Sequence, residues 1–324
     1  MFENIRTTKI CMVIEIKKYR TNLQQEWDTH ISLSKNGTFL LYRDFMDYHA
    51  HRFTDHSLLF YCKNKLVAVL PANRDETMLY SHQGLTYGGL ILSRATSTNV
   101  ILSIFETLQT YLKDQHICTL IYKKIPYIYQ QQPSDEDLYA LFRCKATLLG
   151  RSIASVIDQQ NKVSYSELRT RGIRKAQSKN LVIKEDYLFH AFWNILECNL
   201  STRFGVAPVH SLAEIEYLKA KFPNAIRLFN VYDNHTVIAG CVVFETFQVA
   251  HVQYISASEV GKACGALDYL FDHLVQNVFR DKKYFDFGIS TEQNGVYLNE
   301  GLIAQKEGFG ARGLVYDVYE LNTD

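Results

Sequence analysis

Proline is scarce, at 5 in 324 residues, and tryptophan scarcer still, at 2. So few prolines exclude Pro-rich linkers and collagen-like repeats, and leave long elements uninterrupted. An excess of one charge is also missing. Lysine plus arginine number 35 against 34 aspartate plus glutamate, a formal net charge of +1. The balance holds locally, with 17 basic and 14 acidic residues up to Gly150 and 18 and 20 beyond it. Bulk charge therefore gives no argument for DNA or an anionic membrane, although a local basic groove stays open. No stretch approaches the roughly 20 apolar residues that span a bilayer. Met1-Phe2-Glu3-Asn4 does not open a signal peptide. The expectation is a cytoplasmic protein with no transmembrane segment.

Paired cysteines are missing too. Seven are present, at 11, 62, 118, 144, 198, 241 and 264, an odd number without any Cys-x-x-Cys. Most lie in apolar runs, which reads as reduced thiols serving as small core residues in a reducing cytoplasm. Among the 11 histidines, His49, His51 and His56 are near one another. No helical His-x-x-x-His or cysteine cluster accompanies them, so no metal is expected. There is no Gly-x-Ser-x-Gly nucleophile elbow and no Gly-x-x-x-x-Gly-Lys-Ser/Thr phosphate loop.

What is abundant is apolar and aromatic. The chain is 47% hydrophobic and carries 21 tyrosines and 19 phenylalanines, which suits many strands. The first half reads as a strand at Ile10–Ile16, a helix at Leu23–Leu33 and a helical aromatic stretch at Phe39–Phe53. Strands follow at Ser57–Cys62, Leu66–Leu70 and Met78–Ser81, with a hairpin signal at Asn64. A helix at Thr96–Lys113, a strand at Ile117–Tyr122 and a short helix capped within Ser134-Asp135-Glu136 complete it. The polar stretch Asp158–Ser166 joins the halves and ends in a helix with Ser164 as its expected cap. This separates a unit 1–158 from a unit 159–324.

The second half repeats the layout. A strand at Leu181–Lys184 precedes helices at Leu188–Leu200 and Leu212–Lys221, the latter with a Ser211/Glu214 capping box. Strands at Ile226–Tyr232, Val237–Thr246 and Val249–Ala257 follow. Then come a glycine turn, a helix through Val278, a strand at Tyr284–Phe287, a helix at Leu298–Lys306 and a closing strand at Gly313–Leu321. Strands interleaved with helices predict an α/β fold with mixed sheets, one in each half.

Three segments resemble the C-terminal acyltransferase domain of the FemABX-like group of the GNAT (Gcn5-related N-acetyltransferase) superfamily. Arg171-Gly172-Ile173-Arg174-Lys175-Ala176 is similar to the basic helix start of that domain. Val249 to Phe271 forms a strand–turn–helix that feeds Tyr284-Phe285-Asp286-Phe287-Gly288-Ile289-Ser290. Gly301 to Gly310 is close to the group's Gly-Leu, Phe-Lys, Phe-Gly pattern. In the first half, only the layout and Thr86-Tyr87-Gly88-Gly89 resemble it. The resemblance implies two tandem GNAT-like units facing a shared cleft, and transfer of an acyl or aminoacyl group to an amine. Two departures stand out. Val260 to Ala266 keeps only part of the usual acyl-CoA pyrophosphate loop, and the long helical-hairpin arm of the tRNA-dependent members is absent.

Amine acylation needs a neutral amine, donors where negative charge develops and a stabilised leaving group. Val249 to Ile255 is the strand expected at the splayed site. Strict alternation puts His251, Gln253 and Ile255 on one face, with Val252 and Tyr254 on the other. His251 is the candidate base, Gln253 an orienting amide, and Asp286, at a strand end, a proton acceptor or positioning group. Gly261, Lys262 and Gly265, read as lying just before a helix, are candidates for an acyl-CoA phosphate site together with Ser290 and Lys306. His82, Gln83 and Tyr87 are candidate acceptor contacts; a tight buried turn is the structural alternative. Arg174 and Arg203 are candidate anion contacts, and solvated helix faces are the common fate of such residues.

The leading expectation is an N-acyltransferase that uses acetyl-CoA or another acyl-CoA. Its acceptor is a small molecule or glycan precursor, an amine of a sugar or cell-envelope precursor. Aminoacyl transfer from charged tRNA is the second reading. A non-catalytic module with a lost donor site is the third. The sequence leaves the oligomeric state open.

Overall fold

Short apolar runs bounded by turn residues become strands, and the longer periodic ones become helices. The computed structural model describes residues 12–323, apart from the Phe204 side chain. Ile10 and Cys11, which the expected first strand includes, lie outside the described residues. The first half runs β1 (Ile14–Lys18), α1 (Gln24–Leu33), α2 (Arg43–Met46), β2 (Thr54–Asp55), β3 (Leu58–Cys62) and β4 (Lys65–Leu70). It continues with β5 (Asn73–Asp75), β6 (Met78–Tyr80), β7 (Ile91–Leu92), α3 (Thr98–Asp114), β8 (Thr119–Lys123), α4 (Glu136–Arg143) and β9 (Thr147–Asp158). The second half opens with α5 (Glu167–Gln177), β10 (Val182–Asp186), α6 (Phe189–Phe204), α7 (Leu212–Lys221), β11 (Ile226–Asp233), β12 (Thr236–Glu245) and β13 (Val249–Ala257). Then follow α8 (Glu259–Cys264), α9 (Ala266–His273), β14 (Tyr284–Ile289), β15 (Thr291–Glu292), β16 (Tyr297–Leu298), α10 (Glu300–Glu307) and β17 (Arg312–Asn322).

Local signals place most of these elements. Lys63 and Asn64 both take positive φ, 50° and 61°, and make the tight turn of the β3–β4 hairpin. Ser211 and Glu214 form the capping box of α7. The cap of α5 is Ser166 rather than Ser164, its hydroxyl accepting from the Arg169 N–H. That of α4 is Asp135, within the expected stretch Ser134-Asp135-Glu136. The aromatic stretch 39–53 is not one helix but α2 between two 3₁₀ turns. Phe39 and Phe45 there each pack against both Phe222 and Phe244 of the second half. Long-range aromatic contacts override the helical period at this point.

The largest correction concerns the sheets. Instead of one per half, a single 11-stranded sheet runs β10-β11-β12-β13-β14-β9-β17-β8-β6-β5-β2. Strand β9 lies outside the sequence expectations, and the closing strand β17 leaves its own half. Strand β17 pairs antiparallel with β9 on one side and with β8 on the other, while β9 pairs with β14. A second sheet of four strands, β1-β3-β4-β7, belongs to the first half alone.

Three apolar clusters cover these sheets. One packs α3 and α4 against first-half strands, and another packs α9 and Phe309 against β11–β14. The third is shared, joining Trp27, Phe39 and Tyr129 of the first half to Trp193, Phe244 and Tyr316 of the second. The six described cysteines are all free; Cys118 and Cys198 are exposed, against the expectation of core positions. No helix among the described residues is long and apolar enough to cross a membrane.

At the seam of the shared cluster lie three buried histidines. Tyr48 stacks on His210 at 5.4 Å, and His49 sits 5.4 Å from His82, ring centre to ring centre. Both ring nitrogens of His49 and Nδ1 of His82 lack a hydrogen-bond partner among the described residues. Burial pushes His49 and His210 down to about 4 and His82 to about 3. These rings are neutral when folded, whereas an unfolded chain protonates its histidines near pH 6.5. The stability they leave intact above that pH is lost progressively as pH falls toward 4. Thermal melts should therefore drop between pH 6.5 and 4, and His49→Phe, which keeps a ring in place, should flatten that slope. An unchanged slope in the variant would refute this account.

Candidate active site

Strands β13 and β14 are parallel neighbours for three residues only: Val249 opposite Tyr284, Ala250 opposite Phe285, His251 opposite Asp286. Beyond that point they part. Strand β13 continues to Ala257 with no strand neighbour on this side among the described residues. Both strands slip register at the fork. Val242 and Val243 of β12 face Tyr254 and Val252, so Gln253 is an extra residue in β13. On β14 the slip falls between Asp286 and Ile289, where Gly288 takes φ +72°. Such bulges bend a strand, end its pairing and re-aim side chains.

The bulge overturns the strict alternation expected for β13. Val252 joins the α9 cluster and Ile255 packs against it, while Tyr254 joins the shared cluster. Val252 and Tyr254 are therefore not on one face, and neither are His251 and Ile255. All of His251, Gln253 and Ile255 nevertheless line the opening, because the fork exposes the strand edge.

Asp286 lies at the root of the fork and is fully buried. Its Oδ1 accepts the Gly288 N–H at 2.7 Å. Its Oδ2 accepts from Tyr129 and Tyr316 hydroxyls, both at 2.8 Å, and faces His251 Nδ1 at 2.9 Å. Burial alone would raise this carboxyl. The charge and hydrogen bond of His251, with the Gly288 and Tyr316 donors, outweigh it and hold the group below its ordinary range. Because Nδ1 faces an ionised carboxylate, the His251 proton belongs on Nδ1, which leaves the Nε2 lone pair free. A Cβ at Gly288 would come within 3.2 Å of His251 Cε1 and would sit at a φ that side chains rarely adopt, so a larger residue there would strain the backbone and push on the imidazole.

The fork opens into a cleft of about 410 Å³ lined by both halves. Thr86, Lys123 and Lys124 come from the first half, and Lys306 and Tyr316 from the second. Lys306 Nζ donates to the carbonyls of Gly288 and Ile289 at 2.9 and 2.7 Å, satisfying main-chain groups that the bulge turns away. Burial pushes it down to about 8, partly opposed by the charge of Asp286. Lys123 Nζ donates to the carbonyls of His82, Gln83 and Leu85 and is likewise pushed down to about 8 by burial. Lys124, by contrast, is ion-paired to Asp137 at 2.7 Å.

This arrangement has known counterparts in shape, though not in sequence. No family model and no curated protein sequence matches the chain. FemX matches 95% of this chain over 97% of its own, with a TM-score of 0.66 at 9% identity. The L-PGS of Bacillus licheniformis matches 86% over 90%, with a TM-score of 0.57 at 11% identity. A tandem GNAT protein from the clavulanic acid biosynthesis pathway matches 96% over 99%, at 0.51 and 9%. The fold is FemABX/GNAT-like. It consists of two tandem GNAT-like units, and the cleft lies between them.

Within this FemABX/GNAT-like frame, the other expected site residues scatter. Gly261 does not precede a helix but lies within α8, which starts at Glu259 under a Ser258 cap. The Gly261 N–H is bound to Ser258 Oγ, and that of Gly265 reaches Lys262 O. Gly265 takes φ +78°, and a Cβ there would meet Gly172 O at 2.5 Å, so close packing on α5 explains it. Lys262 is paired with Glu259 and Asn199. These residues line a separate pocket of about 430 Å³ against α5 and α10. Ser290 is buried, its hydroxyl without a partner among the described residues.

His82 and Tyr87 are buried and do not line the cleft; Gln83 bonds to Asn73; Thr86 is the loop residue that reaches the cleft. The loop therefore takes the form of the tight buried turn. Residues 81–90 leave β6 and cover the end of β8, with the Lys123 N–H bound to Ser81 Oγ and the Gly88 N–H to Lys123 O. Arg174 is exposed on α5 and Arg203 on α6, both outside the cleft. Tyr129, Tyr316 and Lys123 escaped sequence reasoning. The one local signal was a pair of lysines following the apolar run Ile117–Tyr122. No group of three or more His, Cys, Asp or Glu among the described residues could hold a metal ion.

Asp286→Asn tests the network. An amide cannot accept from Gly288 on one side and from three donors on the other, so one buried N–H faces another. A loss of about 3 kcal/mol or more in denaturant unfolding is expected. A loss below 1 kcal/mol would show the carboxylate network to be incidental.

Proposed function

We propose that this chain is an N-acyltransferase that moves an acyl group, acetyl first among them, from acyl-CoA to an amine. In this reading residues 159–324 form the acyltransferase unit and residues 1–158 the acceptor side. The observation that carries the reading is the forked β13–β14 pair with a carboxylate-held imidazole at its root. An acyl carbonyl lodged in the fork meets the unpaired edge of β13, whose N–H groups are donors for the developing oxyanion. The acceptor amine attacks the carbonyl carbon and passes its proton to His251 Nε2. The C–N bond forms, the C–S bond breaks with its electrons leaving on sulfur, and the thiolate takes up the proton. Asp286 holds the imidazole in the required tautomer, and Gln253 lies on the same opening to orient a polar group. Lys123 and Lys306, whose ammonium groups hold main-chain carbonyls, have no carboxylate partner among the described residues and leave positive charge beside the cleft, which supports an acceptor amine on a sugar or cell-envelope precursor that also carries negative charge.

A second reading has its own support. The amides of Gly261 and Gly265 are already used within the chain, which weakens a CoA phosphate cradle there. Arg171, Arg174 and Lys175 stand exposed on α5 with no ion pair among the described residues. Those features favour aminoacyl-tRNA as the donor.

Calorimetry with acetyl-CoA and with bulk tRNA separates the two. Micromolar binding of acetyl-CoA supports the first, and RNA binding that collapses between 50 and 200 mM salt supports the second. Binding of neither removes both. Loss of the base in His251→Ala should lower kcat by about 10²- to 10⁴-fold, on whichever donor binds. Full turnover in both His251→Ala and Asp286→Ala would overturn the site assignment.

A further inference from the structure

The carboxylate behind His251 is not held by its own unit alone. Tyr129 lies on a 3₁₀ turn, Tyr127–Tyr129, of the first unit. Its hydroxyl reaches Asp286 Oδ2 across 157 positions of sequence. Tyr316 arrives on β17, and the two hydroxyls are 3.1 Å apart. Both phenols are pushed well above their ordinary value by burial and by the charge of Asp286, so both remain donors at any working pH. The turn is clamped from several sides. Tyr129 packs on Tyr87 at 4.6 Å, and the Tyr87 hydroxyl bonds to Thr38. Tyr127 stands edge-on to Tyr284, and the Gln248 side chain donates to Gln130 O.

Three donors therefore converge on one oxygen. A hydrogen bond to an ionised carboxylate stabilises the charged form. Each phenol thus lowers the proton affinity of Asp286 and weakens its pull on the imidazole. The phenols also fix the carboxylate plane, because Oδ1 is already tied to Gly288. We propose that Tyr129 is a positioning residue of this site: delivered by the first unit, it sets the orientation and basicity of His251 through Asp286, so the base is fully formed only when the two units are docked. This rests on the reading of His251 as the base of amine acylation. Other groups bear on the same imidazole. Lys306 lies beside it on α10, Tyr316 on β17, and Lys123, Lys124 and Asp317 share the cleft.

The test is histidine-selective ¹⁵N and ¹³C NMR of the full chain, run beside the pH profile of kcat/KM. Tyr129→Phe removes the hydroxyl and keeps the ring against Tyr87. With one donor fewer, Asp286 binds the imidazolium more tightly. The His251 titration should move to higher pH, and the acid limb of the profile should move with it. Thr38→Val, which breaks the neighbouring bond without touching Asp286, should move neither. Incorporation of 3-fluorotyrosine at position 129 supplies a stronger donor and should shift the titration the opposite way, even if Tyr129→Phe folds poorly. A His251 titration unmoved by both changes overturns the proposal. A shifted titration in a protein that turns over no acyl donor upholds the positioning role and sinks the activity instead.

Discussion

Strand β17 is the last element of the chain, yet it lies between β9 and β8 near the middle of the large sheet. Its pairing with β9 runs from Arg312 opposite Val156 to Glu320 opposite Thr147. Without it the strands of the two units would end in open edges facing each other, and exposed edges are prone to pair with other chains. With it, the units become one sheet, and the Leu314 and Tyr316 side chains enter the shared cluster. The candidate site depends on this joint twice over. Strand β9 supports β14 just where Asp286 sits opposite Val156, and β17 supplies Tyr316 to the same carboxylate.

A buried carboxylate is costly unless its oxygens are hydrogen-bonded. Asp286 is ringed by donors from four elements, β13, β14, β17 and the 127–129 turn. The same accounting applies at Lys306, whose ammonium serves two carbonyls displaced by the β14 bulge. Charge, bulge and fork therefore depend on one another. Straightening β14 would restore pairing with β13, remove the carbonyls that Lys306 serves and close the opening on His251.

Much of this was legible residue by residue. Strand β13 falls on Val249–Ala257 as its β-branched and aromatic run predicts, and the Ser211/Glu214 box starts α7. His251 and Asp286 stand out in the sequence as a polar position in an apolar strand and a carboxylate expected at a strand end; Asp286 instead lies within β14, which runs on to Ile289, and the structure brings the two together at 2.9 Å. What stayed hidden is non-local. The bulge at Gln253 arises from pairing with β12, which no periodicity within β13 records. Strand β9 was missed because Thr147–Arg151 is largely exposed and only Ala154–Ile157 is buried, so no single pattern spans it. The glycines at 261 and 265 looked like a phosphate turn, yet their missing side chains make room for Ile238 O and Gly172 O. A glycine that permits close packing and one that cradles a ligand look alike in sequence.

The two units repeat one plan with opposite outcomes. In each, a strand is followed by helix and then by a parallel neighbour, β6 to β8 in the first and β13 to β14 in the second. In the first unit the place where the strands part is occupied by the chain itself. Residues 81–90 turn into it, Leu85 and Tyr87 are buried there, and Lys123 binds three carbonyls of the loop. In the second unit the equivalent place stays open, and its lysine binds the strand end instead of a filling loop. A loop that already satisfies its main-chain groups leaves none for a ligand. The first unit therefore offers the cleft a wall, with Thr86 and Lys123 on its surface, while the second keeps the unpaired strand edge. That asymmetry is why the proposed reaction places donor chemistry at His251 and acceptor contacts opposite it.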